Sequence, residues 1–137
     1  MRLAAFTDYG LRVLMRLAGT PDARLSTAEL AAQFRVSHHH LTKVVQDLVR
    51  GGFVTTRRGL GGGISLARDA HEIGLGEVVR HLERRFAPVE CFRDDGGTCV
   101  LNAACRLRAR IAAAQETFLD TLDQTTLAEC AWSPEAS

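Results

Sequence analysis

The chain has 137 residues, of which 46% are hydrophobic and 24% are charged, and its formal net charge is +1. This length suits one ordinary domain, or a small domain with an appendage, and it excludes two full domains. The composition is that of a water-soluble globular protein, and no apolar run approaches the length of about 18 residues that spans a bilayer.

The charges are unevenly distributed along the chain. Residues 1–70 carry ten Lys or Arg against five Asp or Glu, a balance of +5, whereas residues 71–137 carry seven against eleven, a balance of −4. A basic half indicates a polyanionic partner, although scattered solvated charge explains it equally well. The first residues lack the pattern of a signal peptide, so we expect a cytoplasmic protein without a membrane segment. In that compartment, cysteines are more often metal ligands or redox-active groups than structural disulfides.

The N-terminal half predicts three helices. Residues 6–19 have apolar residues at helical spacing, with Thr7 as the expected N-cap and Asp8 in the first turn, where the helix dipole favours a carboxylate. A second helix begins with a capping box formed by Ser26 and Glu29. Ser37 can cap a third helix, which ends at two glycines. Because about three residues separate the last two helices, they form a candidate helix-turn-helix.

The third predicted helix has an outer face of hydrogen-bond donors, as a recognition helix in the major groove requires, although an ordinary polar face is the alternative. A β-prone hairpin follows, and its turn RRGLGGG is basic and rich in glycine. This order is that of a winged helix, whose tip arginines would enter an adjacent minor groove. A phosphate-binding loop is disfavoured, because the turn lacks the Lys-Ser/Thr ending of a P-loop. We expect the DNA-binding residues to be Ser26, Ser37, His38, His39, Thr42, Lys43, Gln46, Arg57, Arg58 and Gly59.

Three of the four cysteines lie in residues 91–105, between a predicted helix over residues 75–86 and a long helix that starts at residue 105. Their x7 and x5 spacings lack the C-x2–4-C pairing of a structural zinc site. Thiolates at irregular spacing suit an iron–sulfur cluster, with one position left for another ligand, and a reversible disulfide switch is the alternative. Cys130 is separated from this loop by a full helix, so we expect it to be a structural or free thiol.

The long C-terminal helix has a narrow apolar seam at alternating four- and three-residue steps, which indicates a partner helix and a symmetric dimer. Packing on its own domain is the alternative. The predicted fold class is mainly α, a winged helix-turn-helix domain with a small β-hairpin wing and a long C-terminal dimerisation helix. We divide the chain into a DNA-binding domain (1–73), an iron–sulfur loop with dimerisation helices (74–130) and a tail (131–137) that we expect to be disordered.

Several segments of the chain are informative together: MRLAAFTDYGLRVLMRLA, STAELAAQFRVSHHHLTKVVQDL, RRGLGGGISLA, IGLGEVVRHLE, and VECF with a later ACRLR. In this order they resemble the Rrf2 superfamily of bacterial regulators, and most of all its nitric-oxide-sensing, NsrR-like branch. The resemblance covers nearly the whole chain. It implies a homodimeric winged-helix transcription factor, usually a repressor, that binds a palindromic operator in double-stranded DNA.

The resemblance also implies a 4Fe–4S cluster, with 2Fe–2S as the alternative, whose ligands are Cys91, Cys99, Cys105 and, from the opposite subunit, Asp8. A related iron–sulfur biogenesis regulator uses a histidine three residues after its last cysteine, but this position is Arg108 here, which cannot be a ligand. Reaction of nitric oxide with the cluster would release DNA. The alternatives are a regulator that senses oxidants or iron status through a 2Fe–2S cluster or bare thiols and, more distantly, a cluster-bearing electron carrier or an interaction module. We expect no enzyme, because the sequence has no catalytic constellation.

Overall fold

Five α-helices and one β-hairpin form the regular structure of residues 2–136, the part of the chain that the computed structural model describes. The helices are α1 (Ala5–Gly19), α2 (Thr27–Phe34), α3 (His38–Arg50), α4 (Leu75–Glu83) and α5 (Arg106–Asp123). The antiparallel strands are β1 (Val54–Arg57) and β2 (Gly63–Leu66). Short 3-10 turns lie at Ala70–Glu72, Glu90–Phe92, Asn102–Ala104, Leu127–Cys130 and Pro134–Ala136. The order of α2, α3 and the hairpin confirms the predicted winged helix-turn-helix, and the fold is mainly helical.

The ends of α2 and α3 are set by the capping residues that the sequence predicted. Ser26 accepts the backbone N–H of Glu29 at 3.1 Å, and the Glu29 carboxylate accepts the N–H of Ser26 at 2.7 Å. Arg35 ends α2 in a left-handed conformation with φ 56°, and Ser37 accepts the N–H of His40 at the start of α3. These local signals fix the short link between the two helices.

The hydrophobic core joins helices α1 to α4 to the hairpin. Its most deeply buried side chains are Val13, Leu14, Leu17, Leu30, Leu41, Val44, Leu48, Phe53, Val54, Ile73, Val78, Leu82 and Leu127. Each buried leucine of this kind contributes about 1.5–3 kcal/mol to the free energy of folding. Helix α5 adds only Leu119 to the buried residues that the structure describes. Helices α1 and α3 are therefore parts of one packed unit, and α5 lies outside it.

Helix α5 packs on α4 through a small residue and an arginine. A Cβ atom at Gly76 would collide with the carboxylate of Asp123 and would lie 2.7 Å from the carbonyl oxygen of Leu119, so glycine permits the close approach. Arg80 donates hydrogen bonds to Asp123 at 2.7 Å and to Asp120 at 3.4 Å. The hydrogen bond from Arg80 lowers the pKa of the Asp123 carboxyl. The two helices thus approach each other closely at Gly76 and are linked by the hydrogen bonds of Arg80.

After α5 the chain returns to the core. The N–H of Leu127 donates to the carbonyl oxygen of Ile73 at 2.7 Å, and the N–H of Trp132 donates to that of Met15 at 3.0 Å. The division into domains, with a tail over residues 131–137, stays a prediction. None of the helices in residues 2–136 has the length and apolar character that crossing a membrane requires.

The start of α1 differs from the sequence prediction. Ala4 is the N-cap, and its N–H donates to the carboxylate of Glu83 at 2.8 Å, so a contact with a distant residue takes the place of a local side-chain cap. Thr7 is fully buried, and its hydroxyl has no hydrogen-bond partner among the described residues. The prediction of Thr7 as N-cap was wrong because the helix begins before it. Helix α4 also ends three residues earlier than predicted, at Glu83.

Candidate functional site

The N-terminal half of α3 presents a row of exposed polar side chains. His38, His39, Lys43 and Gln46 point to solvent, whereas Leu41, Val44 and Leu48 on the opposite face are buried. Thr42 uses its hydroxyl to donate to the carbonyl oxygen of His38 at 2.8 Å. Its donor is therefore already satisfied, which leaves its oxygen as an acceptor for a ligand. The exposed row is free to meet base edges in a major groove.

The two predicted serines lie at helix starts. Ser26 and Ser37 are exposed, and each hydroxyl oxygen accepts a backbone N–H of its own helix. The O–H of each serine can still donate to a phosphate oxygen, and helix N-termini favour anions. The two helix starts therefore suit contacts with the DNA backbone.

The wing brings its basic residues to the surface. Arg57 pairs with Gly63 in the hairpin, and the turn between them holds Gly59 and Gly61 with φ of 86° and 73°, a conformation that favours glycine. Arg57 and Arg58 are exposed and have no acidic partner among the described residues. Their guanidinium groups are free to bind phosphate or to enter a minor groove.

Leu60 was missed by the sequence reasoning. It lies at the tip of the wing, and its side chain is fully exposed. A large apolar residue between Gly59 and Gly61 in a basic turn was the signal that could have identified it. An exposed leucine beside Arg58 can contact deoxyribose or base edges in a minor groove.

The cysteine loop connects α4 to α5. Cys91 lies in the 3-10 turn Glu90–Phe92, Cys99 lies in irregular chain, and Cys105 is the N-cap residue of α5. All three thiols are half-buried and free. Within residues 2–136, no group of three or more His, Cys, Asp or Glu side chains is arranged to hold a metal ion. The three cysteines thus share one loop, but the single chain does not gather them into a site.

Glu90 forms hydrogen bonds with the middle of this loop. Its carboxylate accepts both the N–H and the O–H of Thr98 at 2.7 Å, and these hydrogen bonds lower the pKa of the Glu90 carboxyl. Gly97 lies against Glu90, and a Cβ atom there would approach the Glu90 Cγ to 2.6 Å. No described residue between Glu83 and Phe118 is buried, so the core does not fix the shape of the loop.

The donor set of the loop fits an iron–sulfur cluster. Three free thiols that are partly open to solvent are the soft ligands that such clusters take, and none of them is engaged in a disulfide. Arg108 stacks on the ring of Phe92, with its guanidinium carbon 5.7 Å from the ring centroid, and offers no lone pair to a metal. Cys130 follows the 18-residue helix α5, which is about 27 Å long, and therefore lies at the opposite end of that helix from the loop.

Asp8 lies on the outer face of α1. Both of its carboxylate oxygens accept hydrogen bonds from Arg12, at 3.0 and 2.7 Å, and its side chain is 49% exposed. The structure does not bring Asp8 together with the cysteines of its own chain. An exposed carboxylate of this kind is accessible to another subunit.

The structure also contains a buried carboxylate that the sequence reasoning missed. Asp47 lies on the inner side of α3, and its side chain is only 2% exposed. It accepts hydrogen bonds from Arg84 at 2.6 and 2.9 Å, and the Nε2 atom of His81 lies 3.2 Å from the same carboxylate. The hydrogen bonds from Arg84 hold the pKa of the Asp47 carboxyl below its ordinary range. A charged residue within the apolar stripe of α3 was the available signal.

Comparisons with known proteins agree on the type of molecule. Residues 3–131 match the Rrf2 family, described as iron-dependent transcriptional regulators. The chain is 42% identical over 128 residues to the HTH-type transcriptional regulator NsrR of Shouchella clausii, covering 93% of this chain and 86% of that protein. It is 43% identical over 130 residues to NsrR of Geobacillus kaustophilus, covering 94% and 88%.

Solved structures show the same fold. CymR, the global cysteine regulator of B. subtilis, matches with a TM-score of 0.72 and 29% identity, covering 96% of each chain. IscR of T. potens matches with a TM-score of 0.71 over 93% of this chain and 84% of that one, and its 22% identity supports a shared fold alone.

Proposed function

The chain belongs to the Rrf2 family of DNA-binding transcriptional regulators, which are not enzymes, and from that premise we propose that it is a repressor that senses nitric oxide. In this proposal the protein is a cytoplasmic homodimer that holds a 4Fe–4S cluster and binds a palindromic operator. Nitric oxide releases it from DNA. The name NsrR, carried by relatives more than 40% identical to this chain, supports this branch of the family.

Two surfaces of each subunit would contact the operator. His38, His39, Lys43 and Gln46 would read base edges in the major groove, and Arg57 and Arg58 of the wing would bind in the adjacent minor groove. Ser26, Ser37, Thr42 and Gly59 would contact the backbone beside them. The support for this assignment is that these residues, apart from the half-buried Thr42, are exposed and lie on the basic half of the chain. Two subunits would present two such sets to the two half-sites of a palindrome.

A homodimer is supported by the exposed seam of α5. Leu107 is 65% exposed, and Ile111, Phe118 and Leu122 are only half-buried by their own chain. A long amphipathic helix whose apolar residues are only partly covered by their own chain is completed by packing against a second helix. A twofold arrangement of α5 would also bring the cysteine loop of one subunit toward the other subunit.

The single observation that carries the cluster proposal is the set of three free, half-buried thiols on one loop whose shape the core does not fix. Cys91, Cys99 and Cys105 would hold three irons as thiolates, and Asp8 of the opposite subunit would hold the fourth. The cluster, when bound, supplies iron that reacts with nitric oxide. Because Asp8 would be an oxygen ligand among sulfur ligands, its bond to iron would be the weakest of the four.

In this proposal the packing of the protein connects the bond between Asp8 and iron to the exposed face of α3 that contacts DNA. Asp8 lies on α1, and the buried face of α1 packs in the same core as α3. A change in how Asp8 is held therefore moves a helix that is close-packed against the recognition helix. A hundredfold loss of DNA affinity needs about 2.7 kcal/mol of coupling, which the loss of one ligand bond and the reordering of the loop are able to supply.

The test is an anaerobic titration with nitric oxide. Protein purified without oxygen should be brown, with about four irons and four sulfides per chain. A DNA duplex selected by the protein from a random-sequence library serves as the probe. Absorbance and a gel shift with this duplex are measured in the same samples, and the loss of the cluster spectrum and of DNA binding should coincide. A colourless protein that binds zinc tightly would contradict the cluster, and undiminished DNA binding after loss of the spectrum would contradict the sensing.

A thiol switch is the second candidate, because the structure leaves the three loop cysteines free and ungathered. In that case metal-free protein would bind the selected duplex, and a mild oxidant would release it while forming a disulfide between two loop cysteines. Retention of DNA binding by the metal-free, reduced protein together with its loss on oxidation would favour this candidate over the cluster.

A further inference from the structure

The last turn of α4 contacts three other helices. Glu83 accepts the N–H of Ala4 at the start of α1, and Arg80 donates to Asp123 of α5. Arg84, the residue after Glu83, donates to Asp47 of α3. The cysteine loop begins directly after this turn, and Cys91 is seven residues beyond Arg84. This short segment therefore adjoins the loop, the helix that carries Asp8, and the recognition helix.

The contact between Arg84 and Asp47 is a geometrically specific one. Two nitrogens of the guanidinium group donate to the two oxygens of the carboxylate, at 2.6 and 2.9 Å. This fork fixes orientation as well as distance, unlike a single-point contact. Asp47 is 2% exposed, so the carboxylate cannot turn to water instead.

The other two arginines near Asp47 contact it far less closely. The nearest nitrogen of Arg85 lies 3.9 Å from the carboxylate, and that side chain is 61% exposed. Arg50, in α3 itself, lies 3.7 Å away and is 60% exposed. His81 approaches the same carboxylate, but it lies within α4 and does not lead into the loop. Arg84 is thus the closest cation on Asp47 and the one nearest to the cysteines in sequence.

The position of Asp47 on α3 makes this contact relevant to DNA recognition. Asp47 follows Gln46, which is exposed on the candidate DNA-reading face, and lies one turn after Lys43 on the same helix. A rotation or shift of α3 about the Asp47 contact would move these side chains relative to the bases. The core residues of α3 limit such a shift but are apolar and non-directional, whereas the arginine fork is directional.

We propose that Arg84 is a positioning residue for DNA recognition, which ties the recognition helix to the end of α4 and thereby to the cysteine loop. The link from the loop to Arg84 rests on the proposed function, whereas the positioning of α3 does not. Reordering of the cysteine loop changes the direction in which the chain leaves α4. The two hydrogen bonds from Arg84 transmit this change to Asp47. Removal of Arg84 leaves the cluster ligands in place but weakens both the alignment of α3 and its response to the loop.

The experiment compares Arg84→Gln with Arg85→Gln, because both variants lose one positive charge at the same end of α4. Affinity is measured for the selected duplex and for a scrambled duplex of the same length, before and after treatment with nitric oxide, and iron is measured in each sample. Arg84→Gln should lose about tenfold in affinity for the selected duplex, the effect of one misaligned base pair, with little change for the scrambled one. The ratio of its affinity for the selected duplex before nitric oxide to that after nitric oxide should fall by a similar factor, and its iron content should equal that of the wild type. Arg85→Gln should stay close to the wild type.

Equal affinity of Arg84→Gln and Arg85→Gln for the selected duplex would overturn the proposal. An equal loss of affinity of Arg84→Gln for both duplexes would also overturn it, because such a loss reflects charge or folding alone. Arg84→Lys keeps the charge without the fork and should show an intermediate loss of specificity. If Arg84→Gln does not fold, wild-type specificity in Arg84→Lys would overturn the proposal. If the wild-type protein contained no iron or did not respond to nitric oxide, the proposed function would be refuted. The positioning role of Arg84 would still be tested, because it depends only on whether Arg84→Gln loses specificity for the selected duplex.

Discussion

Removal of the two wing arginines should change the salt dependence of DNA binding by a predictable amount. Arg57 and Arg58 are exposed and have no acidic partner among the described residues, so their charge is available to DNA. Each cation that neutralises a phosphate contributes about 0.9 to the slope of log affinity against log salt concentration. In the proposed homodimer, two arginines in each of two wings give four such contacts. The Arg57→Ala/Arg58→Ala variant should therefore have a slope about 3.6 smaller in magnitude than that of the wild type.

The same difference can be read as an affinity change. Across a fourfold rise in salt, the affinity of the wild type should fall about 150-fold more than that of the wing variant. Fluorescence anisotropy with the selected duplex over a salt series measures both slopes. The matched control is Arg85→Ala/Arg110→Ala, which loses the same charge from exposed side chains outside the wing. An unchanged slope in the wing variant, or an equal change in the control, would refute the assignment of the wing to DNA.

Three further predictions concern the buried and the free polar groups. Because Arg84 lowers the pKa of the Asp47 carboxyl, their contact stabilises the fold fully above about pH 4 and stabilises it less as the pH falls below that. The difference in free energy of unfolding between the wild type and Arg84→Gln, measured by urea denaturation, should therefore become smaller in acid. A difference that stays constant with pH would contradict this. Thr7→Val should raise the free energy of unfolding by about 1 kcal/mol, because it removes a buried hydroxyl without a hydrogen-bond partner. A loss of stability in this variant would show that the Thr7 hydroxyl does have a hydrogen-bond partner. Cys99→Ala should lose bound iron whereas Cys130→Ala should keep it, and equal iron in the two variants would contradict the ligand set.

The winged helix was predictable because its signals are local. The capping residues Ser26 and Ser37, the apolar spacing of α3 and the glycines of the wing each act within a few residues of the chain. The start of α1 was predicted wrongly for the opposite reason. Its N-cap residue, Ala4, is hydrogen-bonded to Glu83, which is 79 positions away, and local propensity carries no trace of such a contact.

The site could be predicted only in its composition. The sequence shows which residues carry thiols and which carry positive charge, and the structure places the predicted DNA-binding residues at the surface of α2, α3 and the wing. The arrangement of the cysteines did not follow, because an irregular loop has no periodicity and few packing constraints. The contact between Asp47 and Arg84 was missed because it joins two helices 37 positions apart in sequence.

Between Glu83 and Phe118 no side chain that the structure describes is buried, and this has a consequence for the lifetime of the regulator in a cell. A stretch without buried side chains opens at little cost in free energy, and such stretches are preferred sites of proteolytic cleavage. On the proposed function, the occupied site shields this stretch, and loss of the cluster exposes it. The molecules that release DNA would then also be those degraded fastest, so recovery of repression would depend on new synthesis or cluster repair rather than on removal of the signal alone.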